Sequence, residues 1–138
     1  MRYLLDTNVI SAFRNPRKMD PQVRQWITAI EAEHFYLSVV TINEIRYGIK
    51  CMENKDAAFA RLLKGWYDNI LGDQETYKLL EVDALTAHVA ADFRHAYKLP
   101  TQDSLIAATA EVKDLTLVTR NIKDFQRTPV NLINPWAK

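Results

Sequence analysis

The sequence predicts an α/β protein built on a mostly parallel central sheet, and three observations lead there. Short apolar or β-branched runs recur at residues 3–5, 34–40, 77–82, 115–119 and 130–133, with the lengths and compositions of buried strands. Segments of helical periodicity, mostly in pairs, fill the spans between the first four runs, so these strands need long right-handed crossovers rather than hairpins. No repeat, linker or low-complexity stretch interrupts the 138 residues. The expectation is therefore one domain spanning 1–138, with helices covering both faces of the sheet.

Each element has its own signal. Tyr3, Leu4 and Leu5 form an apolar run that stops at Asp6-Thr7-Asn8. Ligands of open α/β sheets bind outside the carboxyl ends of the strands, which puts Asp6 where a site would lie. Taken alone, capping of the helix that starts near Asn8 is the better account of the same residue. Val9, Ile10, Ala12 and Phe13 are the stripe of that helix, which should end near Asn15-Pro16 because the residue before proline disfavours helix. After a loop carrying Arg14, Arg17 and Lys18, Asp20-Pro21 caps a helix with Val23, Trp26, Ile27 and Ile30, expected to run to about Glu33. Residues 34–40 are aromatic and β-branched and form the second strand.

Thr41-Ile42-Asn43-Glu44 matches a capping box that opens a helix with Ile45, Ile49 and Met52 on its apolar face. Asn54-Lys55-Asp56 starts another helix through Phe59, Leu62, Leu63, Trp66 and Ile70, with Gly72 as terminator, and the two read as a hairpin. The strand at 77–82 is followed by Asp83, which caps a helix bearing Leu85, Val89, Phe93 and Tyr97. Beyond Pro100, Thr101-Gln102-Asp103-Ser104 begins a closely packable helix with Leu105, Ile106, Ala108 and Ala110. The fourth strand at 115–119, a loop or short helix at 120–125 and a last strand at 130–133 complete the chain before Asn134-Pro135.

Composition narrows the function. Lys plus Arg number 18 against 17 for Asp plus Glu, which argues against holding nucleic acid by bulk charge, though local patches remain open. One cysteine, Cys51, permits no internal disulfide and no Cys-based zinc site, and is expected to be a small buried hydrophobe. Without a signal-peptide pattern or an apolar run long enough to span a bilayer, the chain is expected to be cytoplasmic and not membrane-bound.

Placing the elements brings out a constellation. Asp6 ends the first strand, Glu44 opens the helix after the second, Asp103 opens the helix before the fourth, and Asn121 with Asp124 follows the fourth. All of these positions lie toward one edge of the sheet. Converging carboxylates repel one another unless a cation neutralises them, so acids without Lys or Arg partners point to a hard metal. All-oxygen ligation favours magnesium or manganese, whose usual work is phosphate chemistry. Taken singly, each acid also has a local explanation: a capping box for Glu44, the helix dipole for Asp103, a solvated loop for Asp124. Thr119 and Asn121 satisfy a turn equally well.

The blocks Leu4-Leu5-Asp6-Thr7-Asn8, Glu44, Asp103-Ser104-Leu105-Ile106-Ala107-Ala108-Thr109-Ala110 and Leu117-Val118-Thr119-Arg120-Asn121 with Asp124-Phe125 resemble the PIN-domain ribonucleases, above all the VapC toxins of toxin-antitoxin pairs. The likeness spans nearly the whole chain. It implies a PIN-like five-stranded parallel sheet flanked by helices, a Mg2+- or Mn2+-dependent endoribonuclease acting on RNA (transfer RNA among the candidates), a homodimer, and inhibition by a VapB-type antitoxin. Any DNA contact would run through that antitoxin in a higher assembly. By position, the resemblance makes Asp6, Glu44 and Asp103 the metal-holding acidic triad, with Asp6 and Asp103 as principal ligands. Asn121 and Asp124 complete the expected catalytic set. Thr7, Asn8, Thr119 and Arg120 are expected to bind substrate, Thr119 also supporting the site through its hydroxyl. Many PIN nucleases carry a fourth acid where this chain has Asn121, so one firmly bound ion is expected unless Asp124 supplies that charge.

Arg14, Arg17, Lys18 and Arg120 are the candidates for phosphate contacts. Tyr47, Trp66 and Tyr67 could stack on bases or belong to the core, and His34, His88 and His95 lie outside the motif. Trp26, Ile45, Ile49, Leu62, Leu63 and Trp66 could line a groove for a partner helix or be spent on the core. A second reading is a weakly active PIN module that works within a DNA-binding toxin-antitoxin complex. A phosphatase with a strand-end aspartate nucleophile is disfavoured, because that chemistry commonly pairs the aspartate with an acid two residues on, where Asn8 stands.

Overall fold

The computed structural model describes residues 1–31 and 34–137. In order, the elements are β1 (Tyr3–Leu5), α1 (Thr7–Ala12), α2 (Pro21–Ala29), β2 (Phe35–Ser38), α3 (Val39–Glu53) and α4 (Ala57–Gly72). Then come β3 (Lys78–Leu80), α5 (Ala84–Tyr97), α6 (Thr101–Val112), β4 (Thr116–Val118), α7 (Ile122–Phe125) and β5 (Leu132–Ile133). The five strands form one sheet in the order β3-β2-β1-β4-β5, and every pairing is parallel.

Side-chain alternation along β1 divides the core in two. Tyr3 and Leu5 join Phe35, Leu37 and Val118 in a cluster with Val9 and Ile10 of α1, Ile45 and Ile49 of α3 and Ile70 of α4. Leu4 and Leu117 join the other cluster, with Ala90 and Phe93 of α5 and Ile106, Ala107, Ala108 and Ala110 of α6. Helices therefore cover both faces. Leu4, Leu5, Ile10, Leu37 and Leu117 are completely buried. Each such side chain contributes about 1.5–3 kcal/mol relative to exposure.

From β1 the chain moves outward through β2 and β3, then returns by α5 and α6 to lay β4 on the other side of β1. The direction of winding thus reverses between β1 and β4. A crevice opens where connections leave such a switch point on opposite sides, beyond the carboxyl ends of the strands. Asp6 leaves β1 there, its amide donating to the Val118 carbonyl at 2.9 Å, and Thr119 leaves β4.

Several local expectations are revised. Strand β2 stops at Ser38, whose side chain accepts from the Val40 amide at 3.0 Å and caps α3. Thr41 is therefore a buried residue inside the helix, and Glu44 lies beyond its first turn, not at the third position of a capping box. The capping side chain overrides the strand preference of Val39 and Val40. Helix α2 ends at Ala29, Ile30 being extended, while the expected end near Glu33 lies outside the described residues. Leu62 and Leu85 point to solvent, 69% and 59% exposed, so α4 packs through Ala60, Leu63, Trp66 and Ile70 and α5 through Thr86, Ala90 and Phe93. Cys51 is exposed rather than buried, one turn after exposed Tyr47 and off the face that buries Ile45 and Ile49. Among the described residues no helix is long and apolar enough to cross a membrane.

Candidate functional site

Asp6 is both a cap and a buried charge, 5% exposed. Its Oδ1 accepts from the Thr7 amide at 2.8 Å and so closes the start of α1. Its Oδ2 accepts from the Thr119 hydroxyl at 2.8 Å and from the Asn8 amide group at 3.3 Å. Burial pushes its pKa up. The three donors, Thr119 first, pull it back, and the charge of Asp124 pushes up again. Capping and site-building therefore use different oxygens of one carboxylate.

Glu44 comes from α3 and reaches the same crevice. Its Oε1 accepts from the Thr7 hydroxyl at 2.9 Å, and that hydroxyl also lies 3.3 Å from Thr41 Oγ1. Partial burial raises the Glu44 pKa, the Thr7 bond opposes the rise, and the charges of Asp6 and Asp103 add to it. Asp103 lies in the first turn of α6, where Pro100 holds the N-cap position without a side-chain bond. No hydrogen bond engages the Asp103 carboxylate among the described residues. Burial raises its pKa most, followed by the charges of Asp6 and Asp124. Asp124, exposed on α7, thus acts on both Asp6 and Asp103.

The loop after β4 locks onto the first turn of α1. The Asn121 amide donates to Thr119 Oγ1 at 3.0 Å, and the Arg120 amide donates to Asn8 Oδ1 at 3.2 Å. Asn8 thereby bridges Asp6 and Arg120, 114 positions apart along the chain. Thr7 and Thr119, expected to meet substrate, have their hydroxyls committed to carboxylates. Asn8 and Arg120 remain on the wall of an open cavity of about 440 Å3. Thr41 and Trp136 are the residues that sequence reasoning missed. Thr41 had a signal in its three-residue spacing from Glu44, whereas nothing local marks Trp136, whose ring lies under the Arg120 guanidinium at 5.0 Å.

The other candidates lie elsewhere. Trp66 and Tyr67 pack against the core and Tyr47 is 71% exposed. His88 is an exposed neighbour of Asp92, and His95 is on the last turn of α5.

The charges of Asp6 and Asp103 raise the Glu44 pKa, and that of Asp6 raises the Asp103 pKa; among the described residues none of the three is paired with a lysine or arginine. Three half- to fully buried carboxylates with no ion-paired lysine or arginine have the all-oxygen chemistry that a hard cation takes. As the side chains stand, no three acidic, histidine or cysteine residues among the described ones are grouped so as to hold a metal ion by themselves.

Comparison with known proteins gives a consistent picture. A model of the PIN domain matches residues 3–131. Toxin FitB of Neisseria gonorrhoeae is 32% identical over 141 residues, covering 96% of this chain and 97% of that protein. VapC ribonuclease Y4jK of Sinorhizobium fredii is 31% identical over 136 residues, covering 96% of each. Among solved structures, FitAcB from Neisseria gonorrhoeae superposes with a TM-score of 0.75 at 31% identity, covering 99% of both chains. A toxin-antitoxin complex from Klebsiella pneumoniae does so with 0.67 at 26% identity, covering 99% of both.

Proposed function

Because this chain belongs to the PIN-domain family, we propose that it is a VapC-type toxin, a metal-dependent endoribonuclease held in check by a cognate antitoxin. The observation that carries the reading is the convergence of Asp6, Glu44 and Asp103 at one crevice, where among the described residues none of them is in an ion pair. The relatives named toxin and ribonuclease support it.

In this reading Asp6 and Asp103 are the principal ligands of one Mg2+ or Mn2+ and Glu44 is the third. Bound there, a divalent ion lowers the pKa of water and stabilises charge on the phosphoryl and leaving oxygens of RNA. The chain's own groups set up that reaction. Thr119 holds the Asp6 carboxylate in orientation and favours its ionised form, and Thr7 does the same for Glu44. Asp124 adds negative charge, and the Asn121 amide orients water or substrate. Asn8 and Arg120 meet the RNA backbone at the mouth of the site. The partners proposed are a VapB-type antitoxin, a second copy of this chain, and DNA through the antitoxin alone; transfer RNA is the first substrate to test.

The test is cleavage of RNA by the purified chain in Mg2+. Asp103→Asn should lose more than the 10–100-fold that removal of an outer-shell partner typically costs, with unfolding no easier than in the parent, and excess chelator should stop the parent. Full activity in Asp103→Asn, or undiminished activity in chelator, excludes the mechanism. Asn121 in place of an acid favours one further reading, a weakly active module within a DNA-binding complex. Growth arrest on expression without antitoxin, reversed by Asp6→Asn, decides for the nuclease; its absence in every host tried decides for the module.

A further inference from the structure

Three depressions in series share walls, and two of them are lined by Asp103 or Asp124. The first, about 440 Å3, is bounded by Asn8, Arg14, Lys18, Arg120 and Trp136 among others. The second, about 380 Å3, begins at Arg120 and ends at Lys123 and Asp124. From there the third, about 250 Å3, reaches Asp103, Lys98 and Arg127. Shared residues make them one trough that follows the loop after β4 and passes Asp124 and Asp103.

Cations dominate its lining. Arg14, Lys18, Arg120, Lys123, Lys98 and Arg127 stand against Asp20, Asp103 and Asp124, and Asp20 already accepts from the Gln22 amide. In a chain with 18 basic and 17 acidic residues overall, that is a local concentration of charge. Among the described residues none of the six cations is in an ion pair. Three instead lie over rings: Arg14 over Phe59 at 5.2 Å, Arg120 over Trp136 at 5.0 Å and Arg127 over Tyr97 at 5.9 Å. A ring steadies a guanidinium while leaving its charge uncompensated, so the field is available to an anion from outside.

We propose that this trough is the track of a single RNA strand, with flanking phosphates met by Arg14 and Lys18 at one end and by Lys123 and Arg127 at the other, and one base stacked on the Arg120–Trp136 pair. This rests on the nuclease reading above. A stacking plane beside spaced cations suits an unpaired strand, because a base within a duplex is already stacked on its neighbours. Each end of the trough holds its own cations, so binding should depend on both ends independently.

The experiment uses Asp6→Asn protein in magnesium, expected to hold RNA without cutting it, titrated with labelled hexauridylate over a range of salt. Arg14→Gln and Lys123→Gln, both at exposed positions, should each lower the slope of log K against log salt by about 0.7, the loss of one single-strand phosphate contact. Trp136→Leu should weaken binding about 5- to 150-fold, and Trp136→Phe should restore most of it. Duplex RNA of equal length should bind more weakly than the hexamer. Unchanged slopes in both charge variants overturn the track, as does displacement of hexauridylate by equimolar hexaglutamate, which would assign the trough to an acidic protein segment. If the parent cuts RNA and these variants bind as it does, the track alone fails. If the variants weaken binding as expected but no metal supports cleavage, the track stands and the nuclease reading fails.

Discussion

Replacing Thr119 by valine tests whether the Asp6 carboxylate is held as described. The change keeps the volume of a fully buried side chain but removes its hydroxyl. It deletes the 2.8 Å bond to Asp6 Oδ2 and leaves the Asn121 amide without its acceptor at 3.0 Å. A hydrogen bond to a charged group contributes about 1.5–3 kcal/mol and a neutral one about 0.5–1.5, so the loss is roughly 2–4.5 kcal/mol. With about 2.1 cal/mol/K of unfolding entropy per residue, 138 residues give about 0.29 kcal/mol per degree, and the Tm should fall by roughly 7–16 °C at neutral pH. The hydroxyl holds the Asp6 pKa down, so the variant's carboxyl titrates higher still. The deficit should therefore shrink as pH falls through that value, because a protonated carboxyl depends less on the donor. Thermal unfolding by circular dichroism at neutral and acid pH measures this, with Thr119→Ser as the control that keeps the hydroxyl. Equal losses in the valine and serine variants, or a valine variant that melts with the parent, would refute the reasoning.

The remaining predictions concern charge and capping. Asp6, Glu44 and Asp103 all titrate above their ordinary values, so the stability they contribute is present below those values and lost as pH rises through the raised ones. In the absence of divalent ions, Asp103→Asn should therefore be more stable than the parent at neutral pH, with the difference vanishing in acid; urea unfolding at several pH values measures it. Asp83 has the opposite sign. Bonds from Thr86 and then Lys113 hold its carboxyl at about 2, so its contribution is present above the ordinary value of 3.8 and lost as pH falls toward 2. Asp83→Asn should remove that acid-side dependence from the same series. Ser38→Ala should destabilise the fold by about 1 kcal/mol, the usual value of an N-cap, and a smaller loss in urea than the 0.5 kcal/mol at the foot of that range would question the revised start of α3.

How far the sequence reveals this molecule depends on the range of the forces involved. β1 and Asp6 are legible because an apolar run and an abrupt polar stop are local, and Asp20, Asp56 and Asp83 cap the helices assigned to them. Ser38 is not legible: Val39 and Val40 carry strand preference, and only the buried cap and the packing of α3 turn them into helix. That misplacement made Glu44 look like half of a capping box, when its partner is Thr7, 37 residues away. Leu62 and Leu85 fit a helical stripe by spacing, yet small side chains such as Ala60 and Ala90 take the inward positions because the helices approach closely there. The acids themselves could be read from their places after successive strands. The links between them, Thr119 to Asp6 and Asn8 to the Arg120 amide, span more than a hundred residues and leave no periodic trace, and the same holds for Trp136 beneath Arg120.

The central claim is that these separated acids form one pocket suited to a divalent cation, and a crystal soaked in manganese addresses it most directly. Anomalous scattering should place one ion about 2.1 Å from carboxylate oxygens of both Asp6 and Asp103, the reach of a small hard cation, with Glu44 joining directly or through water. An ion seated on other residues, or none at saturating manganese with the three carboxylates turned to separate protein partners, would contradict it.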